Sequence, residues 1–169
     1  MLPDHLVPGL RVVLVGTAVG VQSFARGHYY AGRGNSFWRL LCEAGLTASR
    51  LTPEDDATLP NFGIGLTDLV KSVAQSHDRG LTEHYDVPGF KTKIAKYQPS
   101  VVAFTSKEAA TEVARTDRHR APSFGPAPWT VGGRPVFVLP SPSGSNNRRT
   151  DPTREEWWRR LANFIDAST

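Results

Sequence analysis

Two loops of small and polar residues are the best candidates for a ligand site in this chain. The first, residues 16–20, follows the apolar run 12–15, which is typical of a strand buried on both faces. The second, residues 141–148, follows another apolar run at 135–139. Glycine lets a backbone approach a ligand closely, and ligands of open α/β sheets bind beyond the carboxyl ends of strands. The two loops therefore predict a binding site, although glycines of ordinary turns give the same pattern.

Two tyrosines supply an aromatic surface near the first loop. Tyr29 and Tyr30 lie among glycines and arginines in residues 24–34, which we predict to be a long, partly exposed connection. Connections of this kind inside compact domains are usually functional or disordered. The rings could stack on a planar ligand, or they could pack as caps on the sheet.

The rest of the chain alternates between strands and helices. Strands are predicted at 11–15 and 101–104, with a hairpin formed by 129–131 and 135–139. Helices are predicted to begin near Asn35, Pro53, Pro88, Lys107 and Thr153. This order predicts an α/β fold, a three-layer α/β/α sandwich with a short, mostly parallel central sheet, in a single domain over residues 1–169. Both loops would then lie on one rim.

Composition sets bounds on the class of protein. The net charge of +4 permits a polyanionic partner without requiring one. The single cysteine, Cys42, excludes an internal disulfide, a multi-cysteine iron–sulfur cluster and a cysteine-rich zinc site. No metal or cofactor is implied. We find no leader-like segment and no apolar run of membrane-spanning length, so we expect a cytoplasmic protein without membrane contact. We also expect a monomer.

Five stretches of the sequence resemble the uracil-DNA glycosylase superfamily, and most closely its mismatch-specific uracil/thymine-DNA glycosylase branch. They are the first loop together with residues 8–13 (Pro-Gly-Leu-Arg-Val-Val), 35–38 (Asn-Ser-Phe-Trp), 65–70 (Gly-Leu-Thr-Asp-Leu-Val) and 142–144 (Pro-Ser-Gly). The resemblance covers nearly the whole chain, and two separated motifs in the family's order make it specific.

The chain departs from the family that it resembles at three positions to which the family gives a role in the reaction. The family's first loop reads Gly-Ile-Asn-Pro-Gly, and its Asn positions the water that attacks the sugar C1′; Ala18 stands there in this chain. Ser141 replaces an Asn or His that contacts the flipped base, and Ser145 replaces an apolar wedge. Tyr30 falls where the family places the ring that stacks on the extruded base.

The resemblance implies a monofunctional DNA glycosylase that hydrolyses the N-glycosidic bond of uracil in base excision repair. Its partner would be uracil-containing DNA, single- or double-stranded. Because Ala18 cannot order a water, Asp68 and Asn35 become the predicted catalytic residues, with Gln22, Ser23 and His28 as further candidates. Asp68 could instead cap a helix after Thr67, and Asn35 could be a helix cap alone.

Two larger sets complete the predicted site. Substrate binding is predicted for Gly16, Thr17, Ala18, Val19, Gly20, Ser23, His28, Tyr29, Tyr30 and Ser141. DNA binding is predicted for Pro142, Ser143, Gly144, Ser145, Asn146, Asn147 and Arg148. In the second set, small residues allow close approach, amides can hydrogen-bond, and the guanidinium supplies positive charge.

Other functions fit parts of the same pattern. The damaged base could be hypoxanthine or another deaminated base, and Ala18 is compatible with a protein that binds damaged DNA without cutting it. A generic nucleotide-binding domain is disfavoured, because the chain has neither a Lys-Ser/Thr phosphate loop nor a Gly-x-Gly-x-x-Gly fingerprint. With Ser145 as a poor wedge, we expect uracil in single strands to be cleaved at least as readily as paired uracil.

Overall fold

The computed structural model describes residues 1–75 and 80–169, and a five-stranded sheet lies at its centre. The strands are β1 (Val12–Ala18), β2 (Ile64–Val70), β3 (Val101–Phe104), β4 (Gly125–Val131) and β5 (Arg134–Val138). Their order is β2-β1-β3-β5-β4, and only the β4–β5 pair is antiparallel among these strands. The predicted mostly parallel sheet and the predicted hairpin are confirmed.

Helices cover both faces of this sheet. They are α1 (Val21–Arg26), α2 (Phe37–Glu43), α3 (Val87–Tyr97), α4 (Lys107–Thr116) and α5 (Arg154–Ser168), with 3-10 helices at Pro53–Phe62 and Thr82–His84. Side chains of α2, α5 and Pro53–Phe62 pack in one core, and those of α3 and α4 pack in the other. The fold is therefore the predicted three-layer sandwich. No helix in the described part of the chain is long and apolar enough to cross a membrane.

β1 is an interior strand of the sheet, and its position explains why residues 12–15 are all apolar. Val12 and Leu14 lie in the core with α2 and α5, whereas Val13 and Val15 lie in the core with α3 and α4. All four side chains are fully buried. A strand covered on both faces has no solvent side, so the usual alternation of apolar and polar residues is lost.

Three local predictions are corrected by the structure. β1 continues through Ala18, because Gly16 pairs with Asp68 and Ala18 pairs with Val70; residues 16–18 are strand and not loop. Residues 24–34, which we expected to be a long, partly exposed connection, begin as helix, since α1 includes Phe24. Asp68 lies inside β2, so it does not cap a helix after Thr67.

The predicted helix near residue 35 is also shifted slightly. Its N-cap is Ser36, and the Oδ1 atom of Asn35 accepts a hydrogen bond from the backbone N–H of Phe37 at 3.0 Å. The helix ends at Glu43, with Ala44 as its C-cap. Asn35 therefore supports the first turn of α2 from one position further out than predicted.

The residues before β1 form an arm along the outer edge of β2. His5 pairs with Leu66 in an isolated antiparallel bridge, and the two backbone hydrogen bonds between them are both 3.0 Å long. β2 is an end strand of the sheet, so this bridge covers part of an edge that no strand covers in the described structure.

Candidate active site

A cleft of about 940 Å³ opens at the carboxyl ends of the four parallel strands. Gly16 and Ala18 contribute from the end of β1 and Asp68 from β2, while Thr105 and Ser141 follow β3 and β5. The two loops singled out in the sequence do share one rim. This is the position at which open α/β sheets bind their ligands.

Most residues of the predicted site line this cleft. They are Gly16, Thr17, Ala18, Val19, Gly20, Ser23, Tyr29, Tyr30, Asn35, Asp68, Ser141, Pro142, Ser143, Gly144, Ser145, Asn146 and Arg148. His28 and Asn147 are not part of the lining. Residues that sequence reasoning missed include Gln75, Thr105, Ser106, Lys107, Phe124 and Thr150. Thr105, Ser106 and Lys107 carried one usable signal, since they directly follow a predicted buried strand.

Asp68 is a buried carboxylic acid on the cleft lining. It is 6% exposed, and its Oδ1 atom lies directly over Gly16, on the neighbouring strand. Among the described residues, none forms a hydrogen bond with this carboxyl group. Burial raises the pKa of Asp68 from 3.8 to about 6, an effect that Lys71 partly opposes. Asp68 therefore changes charge just below neutral pH and keeps its oxygens available.

Tyr30 is a rigid ring beside Asp68. It stacks on Phe37, with ring centroids 3.8 Å apart and planes 10° from parallel, and its hydroxyl lies 3.1 Å from the Thr105 Oγ1 atom. Burial, and next the negative charge of Asp68, raise the pKa of the Tyr30 hydroxyl. Because Phe37 covers one face of the ring, Tyr30 can meet a ligand only through its other face or its edge.

Tyr29 is a core residue and not an exposed stacking platform. Its side chain is almost completely buried, and its hydroxyl accepts a hydrogen bond from the Lys71 ammonium at 2.9 Å. The buried carboxylate of Asp56 accepts from the Tyr29 backbone N–H at 2.9 Å and lies 3.3 Å from the His28 Nδ1 atom. His28 is thus held away from the cleft by Asp56.

Two further candidates for ordering water, Ser23 and Gln22, instead fix the backbone of the connection that carries Tyr30. The Ser23 hydroxyl accepts a hydrogen bond from the backbone N–H of Ala31 at 2.8 Å, and the Gln22 Oε1 atom accepts from the N–H of Arg33 at 2.7 Å. Both side chains line the cleft, yet each has an oxygen committed to the connection that carries Tyr30. Asp68 is the residue of this set whose oxygens are uncommitted within the described structure.

The backbone of β1 is open towards the cleft at its end. β1 pairs with β2 as far as Ala18, but it pairs with β3 only as far as Val15. Backbone groups of a strand point alternately to its two sides, so part of the 16–18 backbone lacks a strand partner on the β3 side. These groups could hydrogen-bond a ligand next to Asp68.

The second loop is joined to the residues that directly precede α2. The backbone N–H of Ser36 donates to the Pro142 carbonyl at 2.8 Å. Arg154, in the first turn of α5, donates to the Ser141 carbonyl at 3.3 Å and to the Ser36 hydroxyl at 3.1 Å. A Cβ on Gly144 would lie only 3.0 Å from the backbone of Gly34, so glycine permits this close approach. The second loop and residues 34–36 therefore form one continuous wall of the cleft.

The second loop is a self-bonded turn with a positively charged end. The Ser141 hydroxyl accepts from the Ser143 backbone N–H at 3.2 Å, and the Asn146 amide donates to the Ser141 carbonyl at 2.9 Å. Arg148 and Arg149 are exposed on the cleft rim. Such a rim can bind phosphates. Within the described residues, no group of His, Cys, Asp or Glu side chains is arranged to hold a metal ion.

Comparison with known proteins adds two findings. The family model of the uracil DNA glycosylase superfamily matches residues 3–162. The fold is similar to the solution NMR structure of a protein from Methanosarcina acetivorans that is provisionally assigned as a uracil DNA glycosylase, with a TM-score of 0.64 and 24% sequence identity. That match covers 98% of this chain and 96% of the other.

Proposed function

The chain belongs to the uracil DNA glycosylase superfamily, and we propose that it is a monofunctional glycosylase that removes uracil from DNA and leaves an abasic site. The observation that carries this proposal is the buried Asp68 carboxyl group, which lies at the cleft over Gly16 with no hydrogen-bond partner among the described residues. The proposed substrate is single- or double-stranded DNA containing uracil, and the proposed form of the enzyme is an intracellular monomer.

Asp68 can perform the part of the reaction that Ala18 cannot. In the hydrolysis, a water oxygen forms a bond to the sugar C1′ while the bond from C1′ to the base nitrogen breaks. The base leaves with the electron pair as an anion, and the sugar passes through a cation-like state. A carboxylate at Asp68 would accept the proton of the water and would stabilise the positive charge on the sugar. Solvent then protonates the released base.

The base would bind between Tyr30 and the end of β1. A base in a duplex must be flipped out before it can enter such a cleft, at a cost of a few kcal/mol. Stacking on an aromatic ring returns about 1–3 kcal/mol per base, and Tyr30 is held for this purpose by Phe37 and Thr105. Open backbone groups of residues 16–18 would hydrogen-bond the base carbonyl, on which negative charge develops.

The second loop and the basic rim would bind the DNA strand. Ser143, Gly144 and Ser145 bring the backbone close to a phosphate, and Arg148 with Arg149 supplies positive charge. These contacts fix the position of the strand but carry no information about the damaged base.

Ala18 favours a second candidate function, that of a protein which binds damaged DNA without cutting it. Ala18 lies on the cleft lining where the resembled family has its water-positioning Asn, and a methyl group cannot hold water. On this alternative Asp68 would be a buried acid without a catalytic role. The two functions differ in one product, since only a glycosylase produces abasic sites that alkali cleaves.

The test is single-turnover cleavage of a labelled single-stranded oligonucleotide with one uracil, followed by alkali. We expect cleavage by the wild-type protein and a loss of about 100-fold or more in Asp68→Asn. Asn35→Ala should lose less, because the Asn35 amide oxygen already accepts a hydrogen bond from Phe37. A full rate in Asp68→Asn would overturn the catalytic assignment of Asp68. Uracil-dependent binding without cleavage by the wild-type protein would identify a binder of damaged DNA.

The same assay identifies the base. Oligonucleotides that carry hypoxanthine or thymine in place of uracil provide the comparison, with an undamaged strand as the blank. Uracil should be the preferred substrate. A higher rate on hypoxanthine would support the glycosylase activity but would show that the preferred substrate is a deaminated purine.

A further inference from the structure

Lys71, the residue directly after β2, is fixed by three groups from distant parts of the chain. Its ammonium lies 2.6 Å from the Asp4 carboxylate, and it donates to the Tyr29 hydroxyl at 2.9 Å and to the Leu2 carbonyl at 3.1 Å. The side chain is 28% exposed, so its charge is partly removed from solvent. A lysine with three partners has little freedom to turn away from the position that they define.

Asp4 is the centre of this arrangement. Its second oxygen lies 2.6 Å from the ammonium of Lys93 on α3, and the Thr67 hydroxyl donates to the first oxygen at 2.8 Å. Burial alone would raise the pKa of Asp4, but the hydrogen bonds from Lys71 and Lys93 lower it overall. Asp4 is therefore ionised at neutral pH and holds both lysines beside β2.

The cluster of Asp4, Lys71 and Lys93 interacts electrostatically with Asp68. Lys71 comes three residues after Asp68, directly beyond the end of β2, and its partner Tyr29 lines the cleft that Asp68 also lines. The charged and titratable groups that interact electrostatically with Asp68 are Lys71, Asp4, Lys93, Tyr29 and Tyr30. The two lysines favour the ionised carboxylate and Asp4 opposes it, with Lys71 the strongest of the three.

We propose that Lys71 is a positioning residue of the active site, whose ammonium stabilises the Asp68 carboxylate electrostatically and is itself held in place by Asp4 and Tyr29. This proposal rests on the proposed function, since it requires Asp68 to act as a carboxylate. Burial alone would keep an acid at position 68 protonated over a wider pH range. A fixed positive charge nearby favours the ionised form of Asp68 near neutral pH. It does so without a hydrogen bond, so the carboxylate oxygens stay available for catalysis.

The test is the pH dependence of single-turnover uracil removal in Lys71→Met, Lys71→Arg and the wild-type protein. In Lys71→Met the acid limb should move up by about one pH unit, which lowers the rate below that limb by about tenfold. The rate at high pH should change little, and Lys71→Arg, which keeps the charge, should restore the wild-type midpoint. A merely structural role would lower the rate at every pH and leave the midpoint in place.

Lys96→Met is the matched control, since it removes the same charge from an exposed side chain on α3. If Lys71→Met has a lowered Tm, Lys71→Gln replaces it, because the amide still donates hydrogen bonds but carries no charge. An unmoved midpoint in the uncharged variant, with Asp68→Asn inactive, would overturn the role of Lys71 and leave the proposed function intact. Wild-type activity in Asp68→Asn would overturn the assignment on which both rest.

Discussion

Asp68 occupies the space in which every residue other than glycine would place its Cβ at position 16. The two residues are partners on β1 and β2, and a Cβ built on Gly16 would overlap the Asp68 Oδ1 atom. The Tyr30 hydroxyl lies 3.3 Å from the same point. Three groups of the proposed site thus converge where one side chain is absent. Gly16 is required here for space and not for backbone freedom.

We expect Gly16→Ala to displace the Asp68 carboxylate. Misplacement of a catalytic group by about 1 Å can cost about 100-fold in rate, so single-turnover uracil cleavage should fall by about that factor. The overpacking should also cost about 1–3 kcal/mol of stability, which urea unfolding would measure.

The double variant Gly16→Ala with Asp68→Asn distinguishes displacement of the Asp68 carboxylate from a general loss of structure. If the added methyl acts through Asp68, Gly16→Ala should reduce the residual rate of Asp68→Asn only slightly. A full and independent loss in the double variant would contradict this explanation.

Asp68→Asn should be more stable than the wild-type protein at neutral pH. The pKa of Asp68 is about 6 in the folded protein against an ordinary value of 3.8. The folded state therefore binds the proton more tightly, and stability falls as pH rises from about 4 through about 6. The shift corresponds to about 2–3 kcal/mol.

Urea unfolding of the wild-type protein and Asp68→Asn at several pH values checks this prediction. The advantage of the variant should be small near pH 4 and should grow to about 2–3 kcal/mol by about pH 7. An advantage that is independent of pH would mean that ionisation of Asp68 does not cause it.

Removal of the Tyr30 ring should weaken binding of the flipped base. Tyr30 has a φ of +52°, so Leu at this position bears the same backbone strain and the comparison isolates the ring. Tyr30→Leu should lose about 1–3 kcal/mol of base stacking, seen as a roughly 5- to 150-fold lower single-turnover rate at limiting enzyme concentration. Tyr30→Phe is the control: it keeps the ring and loses only the hydrogen bond to Thr105, so its rate should stay within a few-fold of wild type.

An apolar residue at position 145 should favour paired substrates. Ser145 is exposed on the rim, and its hydroxyl bonds only the neighbouring Ser143 among described residues, so it fills little space in a base stack. Ser145→Leu should raise cleavage of uracil in duplex DNA by roughly threefold to tenfold, because a wedge offsets part of the flipping cost. Cleavage of single strands should not change. Ser145→Ala, which removes the hydroxyl without adding a wedge, should leave both rates near wild type.

The core of this fold could be predicted from local sequence signals. Residues 101–104 and 135–139 are short apolar runs, and Ser106 and Thr153 cap α4 and α5 with hydrogen bonds to backbone N–H groups. β2 was less visible, because Gly65, Thr67 and Asp68 interrupt its apolar pattern although all seven residues are buried.

The environment of Asp68 could not be predicted in the same way. Asp68 entered as a candidate through a family resemblance, whereas Asp4 and Lys93 meet beside it from opposite ends of the first hundred residues. Ion pairs between residues so distant in sequence depend on the completed fold and leave no spacing pattern. The sequence left open whether Tyr29 packs or stacks for a related reason: its partners Lys71 and Asp56 come from two distant parts of the chain.

The arm before β1 also affects whether a strand from another copy of the chain can add to the edge of β2. An unpaired sheet edge is a template on which a foreign strand can add. On β2 the backbone groups of Leu66 that such a strand would need are already bonded to His5. An intruding strand would therefore have to peel the arm away, and Asp4, one residue along, would leave Lys71 at the same time. We therefore expect that the addition of a strand at this edge would also break the ion pair between Asp4 and Lys71.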